Sequence, residues 1–161
     1  MHAGKVLYVC FAALSLAQEL PRAGVQEPAA GEILVATTKS HDPDLARSVI
    51  LLIQYDRDGA IGLMLNRPNG KAFEGGPIDL GVRTLVRSRS KPEGAQRVFG
   101  DVYIYPRMVN ATGARIYLGY TGWSAQQLKD EIARGLWKPI AGDARVVFDR
   151  DPATLSKRLN R

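Results

Sequence analysis

Two residue types that often carry catalytic or metal chemistry are scarce in this 161-residue sequence, which has one cysteine and two histidines. Cys10 lies in the N-terminal apolar segment, so the rest of the chain cannot form a disulfide, a thiolate nucleophile or a cysteine-based zinc site. His41, the one histidine beyond that segment, is either a general base or, in the interpretation we favour, an exposed loop residue. The sequence therefore predicts no catalytic residues, no metal site and no cofactor.

The sequence also lacks a long hydrophobic segment. Its N-terminal apolar run, Val6–Leu16, is too short to span a bilayer comfortably. A positive charge precedes this run, and Ser15 and Ala17 place small residues at the −3 and −1 positions of a cleavage site. This arrangement is typical of a secretory signal peptide. The alternatives are a buried N-terminal strand and an uncleaved anchor.

The segment defines the predicted organisation: a signal peptide at 1–17, a flexible leader at 18–30 and a single domain at 31–161. We predict export to the periplasm, with no transmembrane segment in the mature protein. A cytoplasmic location is the alternative.

Acidic residues are fewer than basic residues, which gives the chain a formal net charge of +6. A basic cluster could attract phosphates or anionic surfaces, although a solvated loop is the simpler interpretation. No aromatic residue within the cluster could stack on a base, so specific nucleic-acid binding is not expected. The cluster comprises Arg83, Arg87, Arg89, Lys91 and Arg97.

The pattern of apolar residues predicts an α+β fold: one compact domain with a large mixed, mostly antiparallel β-sheet and about three helices. Strands are predicted at Glu32–Thr38, Ser48–Tyr55, Ala60–Asn66, Arg83–Arg87, Arg97–Tyr105, Arg115–Tyr120 and Ala144–Phe148. Helices are predicted at Asp42–Arg47, Ser124–Leu136 and Ala153–Asn160.

Two of these predictions have strong local signals. The apolar runs on either side of Asp56–Gly59 (DRDG) should form an antiparallel hairpin in the centre of the sheet. In the middle helix, Ser124 and Gln127 are spaced as a capping box, Leu128 lies on an apolar face, and Gly135 is placed to end the helix.

Several motifs together resemble the AlgH/YqgE family of bacterial proteins, in the order in which that family carries them. These are GEILVA at residues 31–36, DPDLARSV at 42–49, GAIGL at 59–63 followed by LNRP at 65–68, GGP at 75–77, and GYTGW at 119–123 with the helix that follows. The resemblance covers the chain from Gly31 to about Leu159. It implies a compact α+β fold around a large mixed sheet and supplies no active site.

The chain departs from the family pattern in two places. It has only Asn69–Glu74 between the N-R-P and G-G-P motifs, where family members usually carry a longer segment. Its N-terminus is also unlike that of the usual cytosolic members. The resemblance therefore indicates a shortened, exported branch.

The remaining candidate site is a constellation of three predicted loops at strand ends, where binding sites often lie. An arginine there could bind a carboxylate or phosphate, and a tryptophan could stack on a ring. In the architectural alternative, the glycines permit tight turns, the tryptophan packs in the interior and the arginine pairs with an acid. The candidate residues are Asn66, Arg67, Gly75, Gly76, Gly119, Gly122 and Trp123.

Because no nucleophile–base pair is evident, the sequence favours a non-enzymatic binding or interaction protein of the cell envelope. Its partner is expected to be an anionic small molecule or an envelope protein. The alternative is a hydrolase or transferase that uses Asn, Arg and carboxylate groups. A transcriptional regulator, which the AlgH name suggests, is a weaker alternative.

Overall fold

The structure is a computed structural model and describes residues 26–161, so the predicted signal peptide lies outside the described residues. Its helices are α1 (Ala125–Ala133), α2 (Ala144–Val147) and α3 (Leu155–Leu159), the last preceded by a 3-10 turn, Pro152–Thr154. Its strands are β1 (Ile33–Ala36), β2 (Val49–Asp56), β3 (Gly59–Met64), β4 (Pro68–Asn69), β5 (Ala72–Glu74), β6 (Ile78–Arg87), β7 (Gln96–Phe99), β8 (Val102–Tyr105), β9 (Arg115–Trp123) and β10 (Trp137–Ile140).

Eight of the strands form antiparallel pairs in the order β10-β1-β2-β3-β9-β6-β8-β7. Strands β4 and β5 pair with each other, and β5 also runs parallel to β9. The predicted α+β domain with a large mixed sheet and helices is therefore confirmed.

The sheet curls until its two edges approach each other. Phe99 at the end of β7 packs against Gly31, which precedes β1, and against Gly142, which follows β10. A Cβ atom on Gly142 would lie only 2.9 Å from Cδ2 of Phe99. The curl gives the sheet an inner face with the largest buried cluster, which includes Ile33, Leu51 and Val102.

The predicted central hairpin is confirmed, since β2 and β3 pair antiparallel across the Asp56–Gly59 turn in the middle of the sheet. Val49–Leu52 is buried at every residue, as expected of a strand covered on both faces. A second cluster, which we name the outer-face cluster, covers the outer face of the hairpin, and helix α1 contributes Leu128 to it.

The predicted end signals of helix α1 at Ser124 and Gly135 are confirmed by hydrogen bonds, although the helix stops at Ala133 and not at Leu136. The Ser124 hydroxyl accepts a hydrogen bond from the backbone N–H of Gln127 (3.0 Å). At the other end Gly135 has φ +74° and donates to the Ile132 carbonyl (2.9 Å), while Leu136 donates to Glu131 (3.0 Å). This is the Schellman arrangement, which requires a residue with positive φ.

Residues 42–47, predicted to be a helix, form only a turn. The Asp42 carbonyl accepts hydrogen bonds from Leu45 (3.2 Å) and Ala46 (2.8 Å), which completes a single turn. Arg47 then takes φ +59°, because the chain must reverse here and pass through the buried Ser48 into strand β2. The Asp-Pro signal therefore starts a helical turn that the tertiary fold ends at once.

Two strand predictions are also wrong. Residues 97–105 form the hairpin β7–β8 rather than one strand, since Gly100, with φ +47°, turns the chain between them. Residues 144–148 contain helix α2 instead of the last strand. Its start is capped by Asp143, whose Oδ1 accepts from the N–H of Arg145 (2.8 Å), while β10 takes the edge position beside β1.

Residues 26–30, the described part of the predicted leader, contact the domain. Glu27 accepts a hydrogen bond from the Tyr55 hydroxyl (2.8 Å) and lies 3.3 Å from Nζ of Lys129. These contacts join the leader to both strand β2 and helix α1.

Candidate functional site

The G-G-P turn and strand β9 meet through their backbones. Gly75 donates its N–H to the Leu118 carbonyl (2.7 Å), and its own carbonyl accepts from Met64 (2.9 Å). A Cβ atom on Gly75 would lie 2.2 Å from the carbonyl oxygen of Gly119, which is far inside van der Waals contact. Glycine at position 75 is therefore required by the close approach of two chain segments.

Asn66 joins two segments with its side-chain amide. Its Oδ1 accepts a hydrogen bond from the N–H of Val49 (2.9 Å), and its Nδ2 donates to the Arg47 carbonyl (2.8 Å). The amide thus satisfies backbone groups at the turn where Arg47 has positive φ. Both of its polar atoms serve the architecture of this turn.

Trp123 does not lie in a loop, because β9 runs through the segment predicted as a Gly/aromatic turn. Its indole is only 6% exposed and meets Trp137 edge to face, with the ring centroids 5.8 Å apart. Its Nε1 donates to Oε2 of Glu131 (3.0 Å), which also accepts from Nε1 of Trp137 (2.8 Å). The indole is therefore held in the outer-face cluster.

Arg67 lies beside a cleft of about 380 Å³, which we name the Arg67 cleft. Its Nη2 donates to the Ala46 carbonyl (3.3 Å), rather than to the acidic partner that the architectural alternative predicts. Asp44, Glu74 and Asp79 bring carboxylates to the same cleft, and Asn69 adds an amide. The cleft is therefore lined by one arginine and three acidic residues.

The structure thus divides the predicted site. Arg67 and Gly76 line the Arg67 cleft, while Gly75 and Gly119 form the backbone junction beside it. Asn66 is engaged in the neighbouring turn. The two remaining candidates, Gly122 and Trp123, lie further along β9 and do not line this cleft.

The sequence analysis missed the acidic and amide residues of the cleft. Asp44 was assigned to a helix start, and Asn69 and Glu74 fall in the short segment between two motifs. Asp79 is at the start of β6, in a stretch without a predicted element. Their nearness depends on the meeting of β5, β9 and the turn at residues 42–47, for which the sequence carries no local signal.

Two general features of residues 26–161 complete the description. This part of the chain contains no group of three or more His, Cys, Asp or Glu side chains placed to hold a metal ion. None of its helices combines the length and apolar character needed to cross a membrane.

Sequence comparison places the chain in a family. A family model described as DUF179: AlgH-like matches residues 33–76 and 68–161, which together cover most of the chain. The chain belongs to the AlgH-like family. The two matched parts overlap at residues 68–76.

Two relatives agree with this membership. A UPF0301 protein of Streptomyces avermitilis is 32% identical over 163 residues, covering 81% of this chain and 84% of that protein. A UPF0301 protein of Chlorobaculum tepidum is 28% identical over 145 residues, covering 73% and 78%. Neither name states a substrate or a reaction.

Two solved structures have the same fold. The AlgH protein from Pseudomonas aeruginosa superposes with a TM-score of 0.64 at 24% identity, covering 82% of this chain and 87% of that one. A crystal structure from Corynebacterium diphtheriae gives 0.70 at 21% identity, covering 83% and 86%. At these identities the likeness shows the fold of this AlgH-like protein alone.

Proposed function

We propose that this AlgH-like protein is a non-enzymatic binding protein of the cell envelope, and that the Arg67 cleft is its ligand site. The observation that carries the proposal is the composition of the cleft. Arg67 and the acidic residues Asp44, Glu74 and Asp79 line one recess of about 380 Å³. That volume falls within the usual range for small-molecule sites.

The charges favour a ligand that carries both signs. A purely anionic ligand would meet Arg67 favourably but would be repelled by the surrounding carboxylates. A ligand with an amine and a carboxylate, such as a free amino acid, can pair its carboxylate with the guanidinium and its amine with the acids. We therefore propose a zwitterionic ligand in place of the anionic small molecule expected from the sequence.

The other candidate residues have structural explanations that need no ligand. Gly75 is required by the backbone junction, Asn66 by the turn at Arg47, and Trp123 by the outer-face cluster. The proposed binding function consequently depends on Arg67 and the acidic side chains of the cleft.

Calorimetric titration with a panel of free amino acids tests the ligand class. Arg67→Gln should weaken binding at least tenfold, because it removes the only cationic group lining the cleft. Arg57→Gln, in the exposed hairpin turn, is the matched control and should leave the affinity unchanged. Equal loss in both variants, or no binding of any zwitterion, would contradict the proposal.

Product analysis during the same titrations addresses the hydrolase or transferase alternative. A binding protein should return each ligand unchanged. Turnover that disappears in Arg67→Gln while the far-UV circular dichroism is retained would instead favour an enzyme.

The envelope location is a separate part of the proposal and rests on the predicted signal peptide at residues 1–17. Protein isolated from its native host should begin at Gln18 and fractionate with the cell envelope. N-terminal sequencing measures this directly. An intact Met1 in the cytosolic fraction would contradict export without affecting the ligand proposal.

A further inference from the structure

A second recess, separate from the Arg67 cleft, lies on the inner face of the curled sheet among strands β2, β3, β6, β7 and β8. This recess, which we name the Arg83 cavity, has a volume of about 190 Å³ and shares no lining residue with the Arg67 cleft. Its walls combine apolar side chains with Arg83 and two carboxamides, Gln54 and Gln96. A charged group therefore faces a small and largely apolar space.

Arg83 is held in place without satisfying all of its hydrogen-bond donors. Its guanidinium carbon lies 4.9 Å from the centroid of the Tyr120 ring, within the range of a cation–π contact. Its Nη1 is buried and has no hydrogen-bond partner. No ion pair involves Arg83 within residues 26–161, so an anionic ligand would supply a counter-charge that this part of the chain does not.

The strands that carry the cavity residues are irregular at the same places. The β2–β3 pairing shifts register between Leu52 and Gln54, beside the cavity residue Ile53. Register also shifts on β6 between Ile78 and Val82, just before Arg83, and on β7 between Arg97 and Phe99. Bulges redirect side chains and are over-represented beside functional sites, so three of them around one recess point to a formed site.

The lining chemistry selects the ligand. None of the described residues that line the Arg83 cavity is acidic, and the neighbouring Asp56 carboxylate already accepts from Nε2 of Gln54 (3.0 Å). An anion in the cavity therefore meets one guanidinium, the Gln96 amide and the remaining N–H of Gln54. Ile53, Ile61 and Ile104 supply apolar walls. Since one water occupies about 30 Å³ of liquid volume, the cavity holds roughly six non-hydrogen atoms.

We propose that the Arg83 cavity binds a short-chain carboxylate of about the size of butyrate, with its carboxylate on Arg83 and its chain against the isoleucines. The Gln96 amide and the second N–H of Gln54 Nε2 complete the hydrogen bonds of the carboxylate. This site is independent of the zwitterion site proposed above.

NMR titration of the whole protein with sodium acetate, propionate and butyrate tests the proposal. The side-chain signals of Gln54, Gln96 and Arg83 Nε should shift, and the affinity should rise about fourfold for each added CH₂. Inorganic phosphate should bind more weakly than butyrate because it makes no use of the apolar walls. Equal affinity across the series would overturn the proposal, since it would indicate only attraction of anions to a surface cation.

Three variants separate the site from general effects. Arg83→Gln should weaken butyrate binding at least tenfold. Arg107→Gln is the matched control and should leave butyrate binding unchanged. The Arg107 guanidinium also lies over a tyrosine (5.2 Å to the centroid of the Tyr105 ring), but Arg107 does not line the cavity. Ile61→Phe should also weaken binding by filling the recess while keeping the charge, and it remains informative if Arg83→Gln fails to fold.

Retention of butyrate binding in Arg83→Gln or in Ile61→Phe would overturn the assignment. The Arg67→Gln variant should bind butyrate with unchanged affinity, because Arg67 lies outside the cavity. A failure of the zwitterion proposal is thus distinguishable from a failure of this one.

Discussion

The carboxylate of Glu131 is expected to stabilise the outer-face cluster more than any other single polar group on α1. Its Oε2 accepts hydrogen bonds from Nε1 of Trp123 (3.0 Å) and Nε1 of Trp137 (2.8 Å). The two tryptophans are only 6% and 3% exposed, so water cannot easily replace the carboxylate. Replacing Glu131 with alanine would leave both indole N–H groups unpaired.

The magnitude follows from the two donors. An unsatisfied buried donor costs about 1–3 kcal/mol, so the loss of both bonds in Glu131→Ala should lower the free energy of unfolding by about 2–6 kcal/mol. Glu131→Gln keeps one amide oxygen that can accept from both indoles and loses only the charge-assisted part of the bonds. Its cost should be about 1 kcal/mol.

Urea denaturation followed by far-UV circular dichroism measures both values, with tryptophan fluorescence as a second probe of the same indoles. Asp130→Ala is the matched control, because its carboxylate is exposed and accepts only from Nε2 of Gln126 (2.9 Å). It should change stability by less than about 0.5 kcal/mol. The reasoning is refuted if glutamine at position 131 costs as much as alanine.

Other substitutions test the packing and the electrostatics. Leu128→Ala, at a fully buried position of α1, should cost about 2–5 kcal/mol in urea denaturation, and a cost below about 1 kcal/mol would contradict its burial. Gly75→Ala should cost about 3 kcal/mol because its Cβ would meet the β9 backbone at 2.2 Å, whereas Gly70→Ala, with nothing within 4 Å, should cost about 1 kcal/mol from its φ of +62° alone. The hydrogen bonds from Arg158 lower the pKa of Asp149, so their stabilisation is present above the unfolded pKa of about 3.9 and is lost as the pH falls through the folded value. Thermal melts between pH 2 and pH 6 should therefore show a smaller acid dependence for Asp149→Asn than for the unchanged protein.

Elements with local signals were predictable from sequence. The β2–β3 hairpin was identified because a four-residue polar turn separates two apolar runs. Helix α1 was identified because Ser124 and Gly135 mark its two ends chemically. Each of these signals lies within a few residues of the feature that it predicts.

Elements that depend on distant partners were not predictable. The valines of α2 have a preference for strands, which the Asp143 cap and the packing of Val147 in the inner-face cluster override. Strand β10 contains a proline and lies in a stretch without a predicted element, yet it pairs with β1 about a hundred residues earlier, with Ile33 opposite Ile140. Here tertiary contacts decide the local structure.

The candidate site shows the same division in a way that bears on function. The motif residues Gly75 and Gly119 are explained by a backbone junction, because a Cβ atom on Gly75 would lie 2.2 Å from the Gly119 carbonyl oxygen. Their presence therefore reflects how the fold closes and not what it binds. The side chains that line the adjacent cleft, Arg67 with Asp44 and Asp79, come from separate segments that this junction brings together. The glycine motifs are therefore expected to accompany the fold whatever the ligand, whereas replacing the charged side chains should change binding while leaving the junction intact.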